Sequence, residues 1–291
     1  MKYLCTGGSG FLGSHLVERL SREGEVVIID NVCGASIMDE GIGELFDGVD
    51  VVFHLAALTR PQWSIKHPEE SNRINVEGTI KVFLHAMDHA VKRVVFVSSS
   101  SLYGENVCPT PESAEPNPMS PYALQKWVGE QYAKLFGKLY GLEVNSIRPF
   151  NVFGARQAPG GPYAAAVPNF IKYLSSGETP WITGDGRQER DFVYVDDVID
   201  IILAASTCKE YGEAFNAGSG KSVSINELYA TICSIMGKSV LPEYVPKVFE
   251  PPQTLADMSK VKRVLGLKPK ISLEEGLRRT IDATINNNPQ P

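Results

Sequence analysis

Tyr122 and Lys126 stand four residues apart in Ser120-Pro121-Tyr122-Ala123-Leu124-Gln125-Lys126. On a helix that spacing places both on one face. An ammonium beside a phenol stabilises the phenolate and lowers the phenol's pKa, which makes Tyr122 a usable base near neutral pH. Upstream runs Ser98-Ser99-Ser100-Ser101-Leu102-Tyr103-Gly104. A serine hydroxyl at the carboxyl end of a strand can hydrogen-bond a substrate hydroxyl or carbonyl. Alone, the Tyr/Lys pair reads as an exposed helix pair and the serines as a polar turn. A third feature sets them in context.

That feature is Thr6-Gly7-Gly8-Ser9-Gly10-Phe11-Leu12-Gly13, which holds both Gly8-x-Gly10-x-x-Gly13 and Gly7-x-x-Gly10-x-x-Gly13. Glycine permits the tight turn, lets the backbone approach a pyrophosphate and lets the helix pack on the strand. The helix N-terminus then binds the phosphate charge. Asp30 ends the second strand about twenty residues after Gly10, where an acid holds a ribose 2′-hydroxyl and repels a 2′-phosphate. NAD is therefore expected over NADP.

These groups need a scaffold, and the apolar pattern supplies one. Strands are predicted at Lys2–Thr6, Glu25–Asp30, Val49–Ala56, Lys92–Ser98 and Glu143–Arg148, with helices at Phe11–Glu23, Glu69–Ala90 and Pro121–Tyr140. Runs such as VVII and RVVFVSS suit a parallel sheet buried on both faces. The fold class is α/β, a doubly wound Rossmann-type parallel sheet. The second half is looser. Gln157–Tyr163 is a Pro/Gly-rich loop, helices are expected at Val167–Ser176, Val198–Ser206, Ile225–Met236 and Leu273–Ile285, and Asp196 or Asp197 is the expected cap of the second of these. This half is read as a smaller mixed α/β lobe over the carboxyl end of the sheet. Residues 1–150 with about 190–217 form the NAD-binding domain, and about 151–189 with 218–291 the substrate domain.

Composition limits the partners. The 291 residues are 43% hydrophobic and 21% charged, with mean hydropathy −0.10, as in a soluble globular protein. A net charge of −6 without a Lys/Arg cluster suits neither nucleic acid nor an anionic membrane. No apolar run reaches the roughly 18 residues of a membrane span. Five widely spaced cysteines without a CxxC, and a start (MKYLCTGGSG) without a signal peptide, fit a cytoplasmic protein. His85 and His89 have metal-ligand spacing but no third ligand, so no metal is expected.

The chain resembles the extended short-chain dehydrogenase/reductase family, and within it the nucleotide-sugar epimerases of the UDP-glucose 4-epimerase type. TGGSGFLGSHL, His54-Leu55-Ala56-Ala57, Asn75-Val76-Glu77-Gly78-Thr79, SSSSLYG, PYALQK, Arg148-Pro149-Phe150-Asn151-Val152-Phe153-Gly154, GDGRQERDFVYVDDV and Ala256-Asp257-Met258-Ser259-Lys260 carry the likeness nearly end to end. The resemblance implies a 4-epimerase acting on a UDP-hexose through a transient 4-keto sugar. Tyr122 would take the 4-hydroxyl proton, Lys126 would tune it and hold the nicotinamide ribose, and Ser99 would hydrogen-bond the reacting oxygen. The resemblance places Gly7, Gly10, Phe11, Leu12, Gly13, Asp30, Asn31, Leu55, Ala56, Ala57, Thr59, Tyr122, Lys126, Pro149 and Val152 around NAD. It places Ser99, Ser100, Tyr122, Asn151, Val167, Thr183, Arg190, Lys247 and Glu250 around the sugar nucleotide, with Asn151 and Arg190 on its diphosphate. Read without the family, Arg190 pairs with Asp191 or Glu189.

Related dehydratases and decarboxylases carry an acid after the Ser/Thr; here Ser100 and Ser101 stand there, which favours epimerisation. A dehydratase, decarboxylase or reductase of the same fold, or a non-catalytic NAD sensor, are the alternatives. The helices starting near Glu69 and Pro121 pair into a homodimer in this family. Departures are Thr183 in a slot usually aromatic, with Trp181 near, and Lys247-Val248-Phe249-Glu250 where an Arg-x-Gly-Asp-like stretch is usual. Thr254 falls where the epimerases limit the sugar's C2 substituent. Between Asn31 and Gly48 there is too little chain for helix, strand and helix. The outer third strand is therefore expected to be missing, by natural trimming or an incomplete chain, and Ser36-Ile37 is read as the remnant of an adenine-contacting pair.

Overall fold

The computed structural model describes residues 1–160 and 165–287. Residues 161–163 of the Gln157–Tyr163 loop lie outside them. In chain order the elements are β1 (Lys2–Thr6), α1 (Phe11–Leu20), β2 (Glu25–Ile29), β3 (Val51–His54), α2 (Pro61–Lys66), α3 (Pro68–Asn72), α4 (Gly78–Asp88), β4 (Arg93–Val97), α5 (Pro121–Tyr140), β5 (Glu143–Pro149) and β6 (Asn151–Phe153). There follow α6 (Ala166–Ser176), β7 (Trp181–Thr183), β8 (Glu189–Tyr194), α7 (Val195–Thr207), β9 (Ala214–Ala217), β10 (Ser222–Ser224), α8 (Ile225–Met236), β11 (Glu243–Val245) and α9 (Leu273–Asn287).

The main sheet is parallel, in the order β2-β1-β3-β4-β5-β9. Its strands alternate sides, as a sheet covered on both faces requires. Tyr3, Cys5, Phe53 and Val95 face the core that α1 and α7 complete, through Leu16, Leu20 and Ile202. Leu4, Val52, Val94 and Phe96 face the opposite core, completed by Val82 and Phe83 of α4 and Ala133 and Phe136 of α5. Two short 3-10 turns, Asn31–Cys33 and Glu40–Phe46, carry the chain from β2 to β3, and β2 is the sheet's edge. Among the described residues no outer strand pairs with β2, as the short spacing implied.

Helix α5 starts and stops where its residues dictate. Ser120 Oγ accepts the Ala123 N–H at 3.2 Å, Pro121 occupies the first turn, and Gly141 closes the helix at φ 72°. The expected single helix Glu69–Ala90 is instead α3 and α4 joined by a π-turn at Arg73–Glu77. Helix α7 also differs: it leaves β8 directly, with Tyr194 as cap. Asp197 does not cap it, because its two carboxylate oxygens accept the backbone N–H groups of Lys270 (2.9 Å) and Ile271 (3.0 Å). A small sheet β10-β8-β6 and a parallel pair β11-β7 stand beyond the carboxyl ends of the main strands, while β9 returns to the main sheet beside β5. No helix among the described residues is long and apolar enough to cross a membrane.

Candidate active site

The glycine loop is built by contacts that a side chain would destroy. Gly7 has φ 72°, and a Cβ there would lie 2.8 Å from the Ala56 nitrogen. A Cβ on Gly13 would lie 2.0 Å from the Gly7 carbonyl oxygen. Gly10 caps α1 without any side-chain hydrogen bond, so the helix N-terminus is left open to an anion. Asp30 is fixed at the end of β2, accepting Ser9 N–H at 3.1 Å and Val32 N–H at 3.0 Å.

From this loop a continuous cleft of about 1240 Å³ runs to the small sheets. That exceeds the roughly 300–1,000 Å³ of a site for one small ligand. Every cofactor residue expected from the sequence lines it: Gly7, Gly10, Phe11, Leu12, Gly13, Asp30, Asn31, Leu55, Ala56, Ala57, Thr59, Tyr122, Lys126, Pro149 and Val152. Ser36 and Ile37 line it too, on the stretch left where the outer strand is missing. The open helix end, the cradle that tolerates no Cβ, and Asp30 at the strand end all suit a dinucleotide.

Tyr122 and Lys126 are buried on one face of α5, 6% and 3% exposed. The Lys126 ammonium donates to the Val97 carbonyl at 2.8 Å and lies 6.0 Å from the centre of the Tyr122 ring. Ser99 Oγ accepts from Ser101 twice, from its N–H at 3.1 Å and its hydroxyl at 2.8 Å. A hydroxyl with both lone pairs engaged has its proton left to give, and a hydrogen bond from Ser99 favours the Tyr122 phenolate. Burial outweighs that help and pushes the Tyr122 phenol up to about 12, while burial pulls Lys126 down to about 7. The expected depression of the phenol by its lysine is therefore not reached by the polypeptide alone, because each group is shielded from the water that would stabilise its charge.

Ser99, Ser100, Asn151, Val167, Thr183, Arg190 and Glu250 line the other half of the same cleft. Asn151 Nδ2 donates to the Asp191 carbonyl (3.2 Å) and to Thr254 Oγ1 (3.3 Å). Lys247 does not line the cleft; its stem lies against Gly184 instead. The acid paired with Arg190 is Glu250, with Nη2 2.8 Å from Oε2, and neither Glu189 nor Asp191. Asp191 is fully buried and committed to the N–H groups of Ser219, Gly220 and Ala256. The Arg190–Glu250 ion pair is within Coulomb reach, but the N–H is not aimed at the carboxylate. Arg190 Nη2 consequently counts, with Ser98 Oγ and Gln157 Oε1, among the buried side-chain atoms lacking a hydrogen-bond partner among the described residues. All three of these residues line the cleft, which is where ligand polar groups would satisfy them. Ser98 and Gln157 were missed from the sequence; only their place beside the recognised Ser99 and Asn151-Val152-Phe153-Gly154 motifs hinted at them.

Outside the cleft, His89 Nδ1 pairs with Asp47 at 2.7 Å and its ring packs on Phe46, as does that of His85.

Comparison with known proteins gives the same reading. Residues 3–218 match the NAD dependent epimerase/dehydratase family. The UDP-glucose 4-epimerase of Mycolicibacterium smegmatis is 34% identical over 97% of this chain and 98% of its own. The crystal structure of the Thermotoga maritima UDP-glucose 4-epimerase with UDP-glucose superposes with TM-score 0.95 at 35% identity, covering 99% of both chains. A UDP-N-acetylglucosamine 4-epimerase from Methanobrevibacter ruminantium, in complex with UDP-N-acetylmuramic acid, gives 0.94 at 35% identity over 98% of both. With more than half its length matched and its fold shared end to end, the chain belongs to the NAD dependent epimerase/dehydratase family.

Proposed function

We propose that this protein is an NAD-dependent nucleotide-sugar 4-epimerase acting on a UDP-hexose, neutral, N-acetylated or uronate. The observation that carries the reading is one cleft in which Ser99, Tyr122 and Lys126 stand between a dinucleotide cradle and the Asn151/Arg190 end. The hydroxyls of Ser100 and Ser101, where an eliminating enzyme needs an acid, favour epimerisation over dehydration or decarboxylation. On this reading residues 1–150 with about 190–217 hold the cofactor, and the remainder holds the sugar nucleotide.

When bound, NAD supplies the hydride acceptor and, oxidised, a positive charge that favours the Tyr122 phenolate. The chain's own groups manage the proton. Tyr122 oxygen takes the proton of the sugar 4-hydroxyl and returns it to the same oxygen when the hydride goes back to C4; the configuration is set by which face the turned-over 4-keto sugar would present to that hydride, not by the proton. Ser99 donates to the reacting oxygen, and Lys126 keeps positive charge beside the phenol. Arg190 gives a guanidinium to the diphosphate in exchange for Glu250. Purified protein should release NAD on denaturation and interconvert UDP-glucose or UDP-N-acetylglucosamine with the 4-epimer, without net NADH. No turnover across a panel of UDP-, GDP- and dTDP-sugars would refute the reading, as would stoichiometric NADH.

Arg190→Met should raise KM at least about tenfold, the value of a charge-assisted hydrogen bond, and leave the NAD content unchanged. An unaltered KM would remove Arg190 from the phosphate site.

We also propose a homodimer in the cytoplasm. Leu124, Leu135 and Leu139 of α5 share one exposed face, and Leu84 of α4 is exposed as well. All five cysteines are free, which fits a reducing compartment. Leu135→Glu with Leu139→Glu should convert a dimer to a monomer in sedimentation; an unchanged species would place the interface elsewhere.

A further inference from the structure

Tyr122, Lys126 and Glu130 follow one another at four-residue intervals down the buried face of α5, and Glu130 is 1% exposed. The Glu130 carboxylate accepts a two-pronged bond from Arg148 of β5, Nε to Oε1 at 2.9 Å and Nη2 to Oε2 at 2.6 Å. Arg148, itself buried, reaches on through Nη1 to the Tyr103 hydroxyl oxygen (2.7 Å) and the Glu112 carbonyl (2.9 Å), and Tyr103 donates to Asn216 of β9 at 2.7 Å. Tyr103 ends the turn Ser100–Tyr103 that Ser99 caps. The pair thus ties together the elements carrying Ser99, Tyr122 and Lys126.

Charge makes the arrangement more than a brace. Two cations and one anion are buried in a row: Lys126, Glu130, Arg148. Lys126 is also faced by Tyr122 on its own helix, by the Phe96 ring of β4 at 5.0 Å, and by His54 of β3. Burial and the Lys126 charge hold His54 neutral, its pKa pulled down to about 3, so it adds no second positive charge beside Lys126. Tyr103 and Glu112 face the far side of the guanidinium. Burial pulls Lys126 down, and the Glu130 carboxylate is what opposes it.

We propose that Glu130 and Arg148 are positioning residues for the chemistry at Tyr122: Glu130 is the buried counter-charge of Lys126, and Arg148, by sharing that carboxylate, sets how much positive charge Lys126 presents to the cleft. The proposal rests on the epimerase reading only in assigning a use to that charge.

Its test is a titration of Lys126 in the full-length protein labelled with [ε-13C]lysine, the signal identified by its loss in Lys126→Met. Glu130→Gln should lower the midpoint by about one pH unit, a tenfold change in proton affinity. Arg148→Met should move it in the opposite direction, because the whole carboxylate charge then acts on Lys126. The alkaline limb of kcat should follow, falling at lower pH in Glu130→Gln and at higher pH in Arg148→Met. A purely structural pair would give equal midpoints or shifts of one sign, which overturns the proposal. Should either single variant fail to fold, Glu130→Leu with Arg148→Met replaces the pair by apolar groups of similar size. Loss of the one anion of the row, the partner nearer to Lys126 along α5, then leaves Lys126 below its wild-type midpoint, and an unchanged midpoint is the contrary result. Opposed shifts in a protein without epimerase activity would sustain this proposal and overturn the functional reading; activity with unmoved midpoints would do the reverse.

Discussion

Tyr122→Phe should lower turnover by about three orders of magnitude, within the range that positioned acid–base groups contribute, and leave NAD bound to the purified protein. The substitution removes one oxygen and nothing else. The ring keeps its place because α5 is anchored independently, by the Ser120 cap, by Pro121, and by the Tyr122 N–H, which donates to Ser64 Oγ at 3.0 Å. The lost contact is the hydrogen bond with Ser99, worth about 1 kcal/mol for a neutral pair, so the fold survives. What disappears is the atom proposed to carry the substrate proton. Neither Ser99 nor Lys126 replaces it: the serine is a poor base, and the lysine is tethered to the Val97 carbonyl. Bound NAD is measured by release on denaturation and epimerisation by NMR of the sugar anomeric signals. Activity within tenfold of the parent would remove Tyr122 from the proton transfer.

Gly13→Ala should abolish retention of NAD and lower the melting temperature by about 3–5 °C, as a strain of about 2–3 kcal/mol does in a chain of this size. The new methyl would lie 2.0 Å from the Gly7 oxygen and 2.8 Å from the Gly8 Cα. Both are backbone atoms, so no rotamer change relieves the overlap. The start of α1 must move off β1, and the loop that cradles the pyrophosphate opens. Gly41→Ala serves as the control, since a Cβ there meets nothing within 4 Å. Equal NAD content and melting temperature in parent and Gly13→Ala would show that this glycine is not packed as described.

Local spacing made much of the molecule legible. The first sheet strands, α1, α5 and α8 follow from apolar period, caps and glycines lying within a few residues of one another. The glycine loop, the Tyr122/Lys126 pair and the serine run are also local, and all line the cleft where the sequence placed them. The short strands β6, β7, β8, β10 and β11 were not anticipated. At three to six residues each they have too little period to read, and their pairing is set by segments far along the chain. The same limit misplaced Lys247, which lies on an aperiodic stretch, and misassigned the partner of Arg190, which lies sixty residues away at Glu250.

The residues by themselves determined the kind of fold, and they made the glycine loop and the Ser99, Tyr122 and Lys126 groups proposed for the reaction legible, because each is a pattern of neighbours on one strand, turn or helix. Only the tertiary structure decided the electrostatics. Burial sets the phenol and the ammonium of the same motif against their charged forms, and Glu130, Arg148 and Tyr103 meet only because three separate elements pack together. Desolvation and long-range pairing depend on what surrounds a group in space, which no spacing along the chain encodes.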